Sequence, residues 1–229
     1  NAMGSREASF TSSLPGYRSY DNPEHRAELA RIWKVDPSRI PSSRGPAYPD
    51  IIQGILDGKI KGLWVIATNP LVSYPDQARL REALSKLDFL VVQDGYHPTP
   101  TTELADLVLP AAIWGEKDGC YTNSERRVSR VRAAVPPPGQ ARSDFDIFLA
   151  IAERMGVKEE LFAGWTHPRD AFEEWRLVSR GRPCDYSGMS HELLDQHSMQ
   201  WPCGEGSSNP LDSRRLYRDG QFATPEGKA

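Results

Sequence analysis

Two short, almost continuously apolar runs, Gly62–Thr68 and Phe89–Gln93, constrain this chain more than any other feature. A strand that is apolar along its whole length is buried on both faces, as inside a parallel sheet covered by helices. Residues 76–86 lie between the runs and open a helical pattern that sets Leu80, Ala83, Leu84 and Leu87 on one side. Strand, helix and strand take about 30 residues, the size of a βαβ unit, and such crossovers are right-handed. A third run, Asp106–Ala112, follows the loop Gly95–Ala105 and predicts a third strand. The expected fold class is α/β, a Rossmann-like parallel sheet flanked by helices.

Around this nucleus the pattern is looser. Residues 1–22 are polar and turn-rich, and Pro23 opens a helical stretch with Leu29, Ile32 and Trp33 at 3,4 spacing. Asp36–Asp50 reads as a loop rich in Pro, Ser and Arg, and a short helix over 50–57 ends at Gly58. After Trp114 the chain turns polar, then arginine-rich, then proline-rich, so 115–141 reads as an extended irregular insertion. Ser143-Asp144 opens a helix carrying Phe148, Ile151, Ala152 and Met155, and another helix is predicted over 168–179. From Gly181 onward the pattern dissolves into turns with apolar anchors such as Trp201 and Phe222.

Composition removes several classes of function. With 28 basic and 31 acidic residues, the net charge of −3 does not indicate wholesale binding to nucleic acid or to an anionic membrane. No apolar run reaches the ~18 residues of a membrane span. Cys120, Cys184 and Cys203 are too widely spaced for a zinc or iron–sulfur pattern, and their sparse, odd count suits a reducing, cytoplasmic compartment. An apolar share of 38% with 19 prolines describes a folded chain that has much loop and leans on something outside itself.

Open parallel sheets bind ligands beyond the carboxyl ends of their strands. The first strand ends in Thr68-Asn69-Pro70 with Ser73 close behind, and the second ends in Gln93-Asp94. An acid closing the second strand suits a ribose hydroxyl or a base N–H, while Asn and Asp equally favour plain turns. Neither G-x-G-x-x-G nor a P-loop is present, which speaks against an ordinary NAD or ATP site. Arg126, Arg127, Arg130 and Arg132 fit phosphate binding or internal carboxylate pairing. Asp144 stands where an N-cap is expected, and spacing alone does not separate capping from a ligand role. His97 belongs to the loop after the second strand, and the other histidines are scattered. No nucleophile–base constellation, carboxylate pair or metal-pair spacing stands out, so no catalytic or metal residue is assigned. The residues describe a binding surface without chemistry of its own.

The run Leu104–Asp144 closely resembles a middle segment of the molybdopterin oxidoreductases of the dimethyl-sulfoxide-reductase type. Within them it is most similar to the catalytic subunits of bacterial assimilatory nitrate reductases. Trp114–Arg127 carries the superfamily motif, and the tail from Arg126 to Gly139 points to the nitrate reductase branch. Pro15–Trp33, Thr68–Asp76, Gln200–Cys203 and Thr224–Ala229 add support, and the likeness runs nearly end to end, leaving out the first few residues.

The resemblance implies molybdenum held by two molybdopterin guanine dinucleotides and a [4Fe-4S] cluster in an N-terminal region outside this chain. It matches Asn69 to a dinucleotide-binding Asn, Ser73 to a nearby polar contact, and Gln93 and Asp94 to the guanosine contacts. Lys117 falls at the Lys beside the pterin or its phosphates, and Asp144 at another guanosine contact. It further implies a fragment, about a third of a multi-domain subunit. Residues 1–113 begin the dinucleotide-binding domain, 114–142 pack on a missing domain, 143–200 return to the first, and 201–229 lead toward a C-terminal cofactor domain. The complete enzyme is implied to reduce nitrate to nitrite with electrons from ferredoxin or a flavoprotein, and the fragment alone to be inactive. Three alternatives are a formate dehydrogenase subunit, a stand-alone nucleotide-binding or adaptor module, and RNA binding at 124–132. The last has only Tyr121 as an aromatic neighbour.

Overall fold

The apolar runs fold into one parallel sheet. In chain order the helices are α1 (Ala2–Glu7), α2 (Pro23–Trp33), α3 (Tyr48–Leu56), α4 (Pro70–Ser73), α5 (Gln77–Leu84), α6 (Asp144–Arg154), α7 (Lys158–Leu161), α8 (Pro168–Ser179) and α9 (His191–Gln196). The strands are β1 (Gly62–Ile66), β2 (Phe89–Asp94), β3 (Leu107–Pro110), β4 (Gly119–Thr122), β5 (Arg127–Val131) and β6 (Met199–Gln200). This computed structural model describes residues 2–9, 13–207, 215–222, 224 and 226–228. Parts of the stretch 201–229, expected to lead toward a further domain, therefore lie outside the described residues.

The chain divides into two compact units. The sheet unit comprises Ser43–Asp118 and Val131–Pro168, and the second unit Asn1–Ser42, Gly119–Arg130 and Arg169–Ala229.

In the sheet unit the strand order is β1-β2-β3 with both pairings parallel, Ile66 opposite Gln93 and Gln93 opposite Leu109. Alternation along β2 sends Leu90 and Val92 to one face and Phe89 and Val91 to the other. Leu90 and Val92 join Ile52 and Ile55 of α3 and Leu80, Ala83 and Leu84 of α5 in a buried cluster. Each fully buried aliphatic side chain there contributes roughly 1.5–3 kcal/mol. The opposite face is only partly covered: Trp64 meets Phe148 of α6 at 5.4 Å, while Phe89 and Leu107 stay exposed. Between that face and α6 lies an apolar groove lined by Trp64, Val91, Leu109, Ile147 and Ile151.

Helix boundaries follow local chemistry. Pro49 near the start brings α3 forward to Tyr48, and Gly58 takes φ +72° just beyond its end. For α6 the N-cap is Ser143, whose Oγ accepts from the Asp146 N–H at 3.1 Å. Asp144 is the first helical residue, so the capping reading of its side chain is corrected.

The second unit contains a three-stranded sheet of order β4-β5-β6, with β5 and β6 antiparallel. The insertion expected at 115–141 is thus not irregular throughout. Val128 alone of β5 is buried, which leaves no two-residue period to read. The unit also buries polar groups. The fully buried Arg18 donates from Nε to Glu28 at 2.9 Å and from Nη1 to the carbonyls of Pro15 and Val178 at 2.8 Å. Buried Glu7 accepts from Trp201 Nε1 at 2.6 Å and from the Tyr186 hydroxyl. Among the described residues no helix is long and apolar enough to cross a membrane.

Candidate functional site

Beyond the carboxyl ends of β1, β2 and β3 the sheet unit opens a cavity of about 560 Å³. Its lining includes Asn69, Asp94, Tyr96, Trp114, Lys117 and Asp144. Two backbone features keep it open. Ala67 leaves β1 at φ +52°, a conformation costing an L-residue about 1–2 kcal/mol, held by its N–H donating to the Gln93 carbonyl at 2.9 Å. Gly95 leaves β2 so close to Ile113 that a Cβ would lie 2.7 Å from its Cγ2.

Asn69 occupies the N-cap position of α4, yet its side chain makes no capping bond. Its Oδ1 accepts instead from the hydroxyl of buried Thr101 at 2.6 Å, while that oxygen accepts from the Leu71 N–H at 3.2 Å. The two Nδ2 hydrogens have no acceptor among the described residues. Thr101 was invisible in the sequence, one threonine among several in a proline-rich loop.

Gln93 is fully buried at the end of the central strand. Its Nε2 donates to Asp144 Oδ1 at 2.7 Å, and Asp144 Oδ2 takes the ammonium of Lys117. Gln93 Oε1, buried, has no hydrogen-bond partner among the described residues. Such an orphaned acceptor costs about 1–3 kcal/mol and calls for a donor from outside the chain. Asp94 uses Oδ1 as a turn residue, accepting from the Tyr96 N–H at 3.0 Å, and leaves Oδ2 free of protein donors among the described residues.

Five of the six sequence-predicted residues thus form one neighbourhood, four lining the cavity and Gln93 joined to it through Asp144. Ser73 stays outside: its exposed hydroxyl donates to the Asn69 carbonyl at 3.2 Å. His97 Nδ1 pairs with Thr102 Oγ1 at 3.1 Å and is not part of the lining. Arg126, Arg127 and Arg130 serve the second unit, and Arg132 belongs to the sheet unit. Arg126 lies 5.3 Å from the Trp201 ring centroid and donates to the Trp201 carbonyl. Arg127 donates to the Ser198 carbonyl at 3.2 Å, and Arg130 to that of Gly119 at 2.9 Å.

Burial pushes the Cys120 and Cys184 thiols up to about 12, far from thiolate at neutral pH. Among the described residues no three His, Cys, Asp or Glu side chains could hold a metal ion together.

Residues 7–154 match the molybdopterin oxidoreductase family. The chain belongs to the molybdopterin oxidoreductases. A nitrate reductase of Synechocystis is 42% identical over 233 residues, covering 100% of this chain and 32% of that protein. The assimilatory nitrate reductase catalytic subunit of Bacillus subtilis is 38% identical, covering 100% and 32%. A formate dehydrogenase alpha subunit of Methanocaldococcus jannaschii is 39% identical, covering 94% of this chain and 30% of that subunit. This molybdopterin oxidoreductase chain therefore spans about a third of the length of the curated relatives it matches. The likeness includes the first residues, which the sequence reading had left out. The acetylene hydratase of Pelobacter acetylenicus shares the fold, with TM-score 0.61 over 96% of this chain, 28% of that chain and 22% identity.

The donor set can be tested against the family's group. The cavity is rich in acceptors: Asp94 Oδ2, the Asp144 carboxylate and, behind it, Gln93 Oε1. Its donors are the Asn69 amide and Lys117. That set suits base N–H groups and ribose hydroxyls. Such a set fits a polar, hydrogen-bonding part of a molybdopterin cofactor.

Proposed function

We propose that this chain is the cofactor-binding middle segment of a molybdenum-dependent nitrate reductase catalytic subunit. The observation that carries the reading is the buried, unpartnered Gln93 Oε1 beside an acceptor-rich cavity. Asn69, Gln93, Asp94, Lys117 and Asp144 hold the guanosine end of one molybdopterin guanine dinucleotide. Guanine offers adjacent N–H groups to carboxylate and amide oxygens, and the ribose offers hydroxyls. Asn69 donates from Nδ2, and Lys117 neutralises Asp144 while keeping hydrogens for the ligand's oxygens. Ser73, the last residue of α4 and outside the cavity lining, is a nearby polar contact in the same reading.

In the complete bis(molybdopterin guanine dinucleotide) enzyme the molybdenum group supplies oxygen-atom transfer from nitrate, giving nitrite. The segment itself orients and retains one dinucleotide and carries no catalytic residue. The reading includes a Rossmann-like sheet within a longer, multi-domain subunit, a [4Fe-4S] cluster held elsewhere in that subunit, and a cytoplasmic location. Ferredoxin or a flavoprotein donates the electrons. Within that subunit, residues 1–113 begin the dinucleotide-binding domain, 114–142 pack on a further domain, 143–200 return, and 201–229 lead toward a C-terminal cofactor domain.

The test is cofactor retention in the intact subunit carrying Asp94→Ala. Guanine nucleotide released on acid denaturation falls well below the wild-type amount while thermal stability holds. Equal nucleotide content in the two proteins defeats the assignment. A formate dehydrogenase segment is the second reading, kept by the 39% identity of the archaeal relative. Assay of the intact subunit with nitrate and with formate separates the two.

A further inference from the structure

We propose that Trp114 and Tyr96 are the stacking walls of this cavity for the planar base of the nucleotide, an assignment that rests on the nucleotide reading above. Trp114 is 77% exposed, the most exposed large apolar side chain among the described residues, and Tyr96 is 67% exposed. Both line the cavity that holds Asp94, Lys117 and Asp144. Neither ring meets another aromatic ring among the described residues. Single exposed apolar residues are ordinary on protein surfaces, but two aromatic rings lining one acceptor-rich cavity are a specific arrangement.

The backbone beneath each ring is fixed although the ring is free. Trp114 opens a 3₁₀ turn, Trp114–Glu116, closed by the Ile113 N–H donating to Glu116 Oε2 at 3.0 Å. The Gly115 carbonyl accepts from the N–H groups of Ala134 at 2.8 Å and Val135 at 3.2 Å. Tyr96 is held by its N–H on Asp94 and by the close approach of Gly95 to Ile113. Two large, flat surfaces on a fixed backbone with apolar area left uncovered suit a heteroaromatic ring, because an aromatic side chain has only two torsions to order on stacking.

Stacking and hydrogen bonding then divide the work. Every base has a π-face, so the rings supply affinity without choice. The choice of guanine belongs to the carboxylates, because adenine turns an acceptor nitrogen where guanine turns an N–H.

The experiment titrates this chain with GDP and with ADP, following tryptophan fluorescence and binding calorimetry. GDP quenches part of the emission, and that part is missing from Trp114→Ala. Trp114→Ala binds both nucleotides about tenfold or more weakly, Trp114→Phe loses less, and the GDP-to-ADP ratio stays at the wild-type value. Asp94→Ala lowers the ratio itself. The ring is solvent-exposed, so an unchanged circular dichroism spectrum and melting curve should accompany Trp114→Ala. GDP binding of wild-type strength in Trp114→Ala overturns the stacking assignment and leaves the nucleotide reading intact. No GDP binding by the wild-type chain at millimolar concentration overturns both.

Discussion

Glu7 in the second unit and Gln93 in the sheet unit are side chains of nearly equal size, both buried, and their surroundings differ in one respect. Each Glu7 oxygen has a donor, Trp201 Nε1 on one and the Tyr186 hydroxyl on the other. Gln93 has Asp144 on its nitrogen and nothing on its oxygen. The second unit turns most of its buried polarity inward: Thr122 shares a 2.6 Å hydrogen bond with Tyr186, and Arg18 ties three chain segments together. The sheet unit has an aliphatic core, and near the carboxyl ends of its strands it leaves Gln93 Oε1 without a partner among the described residues. Buried polarity that is internally answered ties a fold together, whereas an open acceptor next to a cavity residue invites a donor from outside the chain.

The largest test of this contrast is Arg18→Ala, which strands Glu28 and two carbonyls in the second unit. Arg18 is buried but Glu28 is about a third exposed, so the cost lies at or below the low end of the ~3–5 kcal/mol for a fully buried pair, about 2–3 kcal/mol, read as a fall in the urea midpoint. A loss under about 1 kcal/mol would erase the difference between the units. Next is a pair of substitutions at the cavity. Asp144→Ala deprives both Gln93 Nε2 and Lys117 of their acceptor and lowers stability by about 1–3 kcal/mol. Asp94→Ala loses one turn bond and stays below about 1 kcal/mol in the same denaturation series.

A third test uses pH. Burial holds the Glu7 carboxyl above its ordinary value of 4.5, with the hydrogen bonds from Tyr186 and Trp201 opposing the shift. The folded chain therefore binds that proton more tightly than the unfolded chain does. Stability from this group is present at low pH and is lost as pH rises from about 4.5 through the raised value. Glu7→Gln flattens that decline, by at most about 1.4 kcal/mol per pH unit within the window. Parallel stability–pH curves for variant and wild type would show that Glu7 does not titrate there. The smallest expected effect is at Ala67, where glycine relieves the left-handed backbone and stabilises by up to about 1 kcal/mol in thermal melts.

Legibility in the sequence followed the same divide. The strands β1 to β3 and the helices α2, α5, α6 and α8 carry apolar residues at a repeating interval, and that interval is readable locally. Asn69, Gln93 and Asp94 stand at or just beyond the carboxyl ends of strands, a place that can be located from the strand itself. The contacts that give the site its character could not be read this way. Gln93 finds Asp144 across 51 positions, and Asn69 finds Thr101 across 32. In the second unit Glu7 reaches Trp201 across 194 positions, which no local pattern announces. Helices α1 and α9 and strands β4 to β6 are short, and their burial depends on such distant partners rather than on their own period.

The pairing of Ala111 with Arg142 has a consequence for how freely this chain can vary. The Ala112 N–H donates to the Arg142 carbonyl at 2.8 Å, and the Arg142 N–H to that of Pro110 at 3.1 Å. Those bonds close a loop of roughly thirty residues and deliver Asp144 to the sheet end, where Lys117 near the loop's start pairs with it. Because closure entropy grows only with the logarithm of length, doubling the loop adds about 0.6 kcal/mol. Asp144 and its hold on Gln93 are thereby insulated from insertions in the enclosed stretch. Sequences in which that stretch is longer or shorter beyond Lys117 can keep the same hold of Asp144 on Gln93.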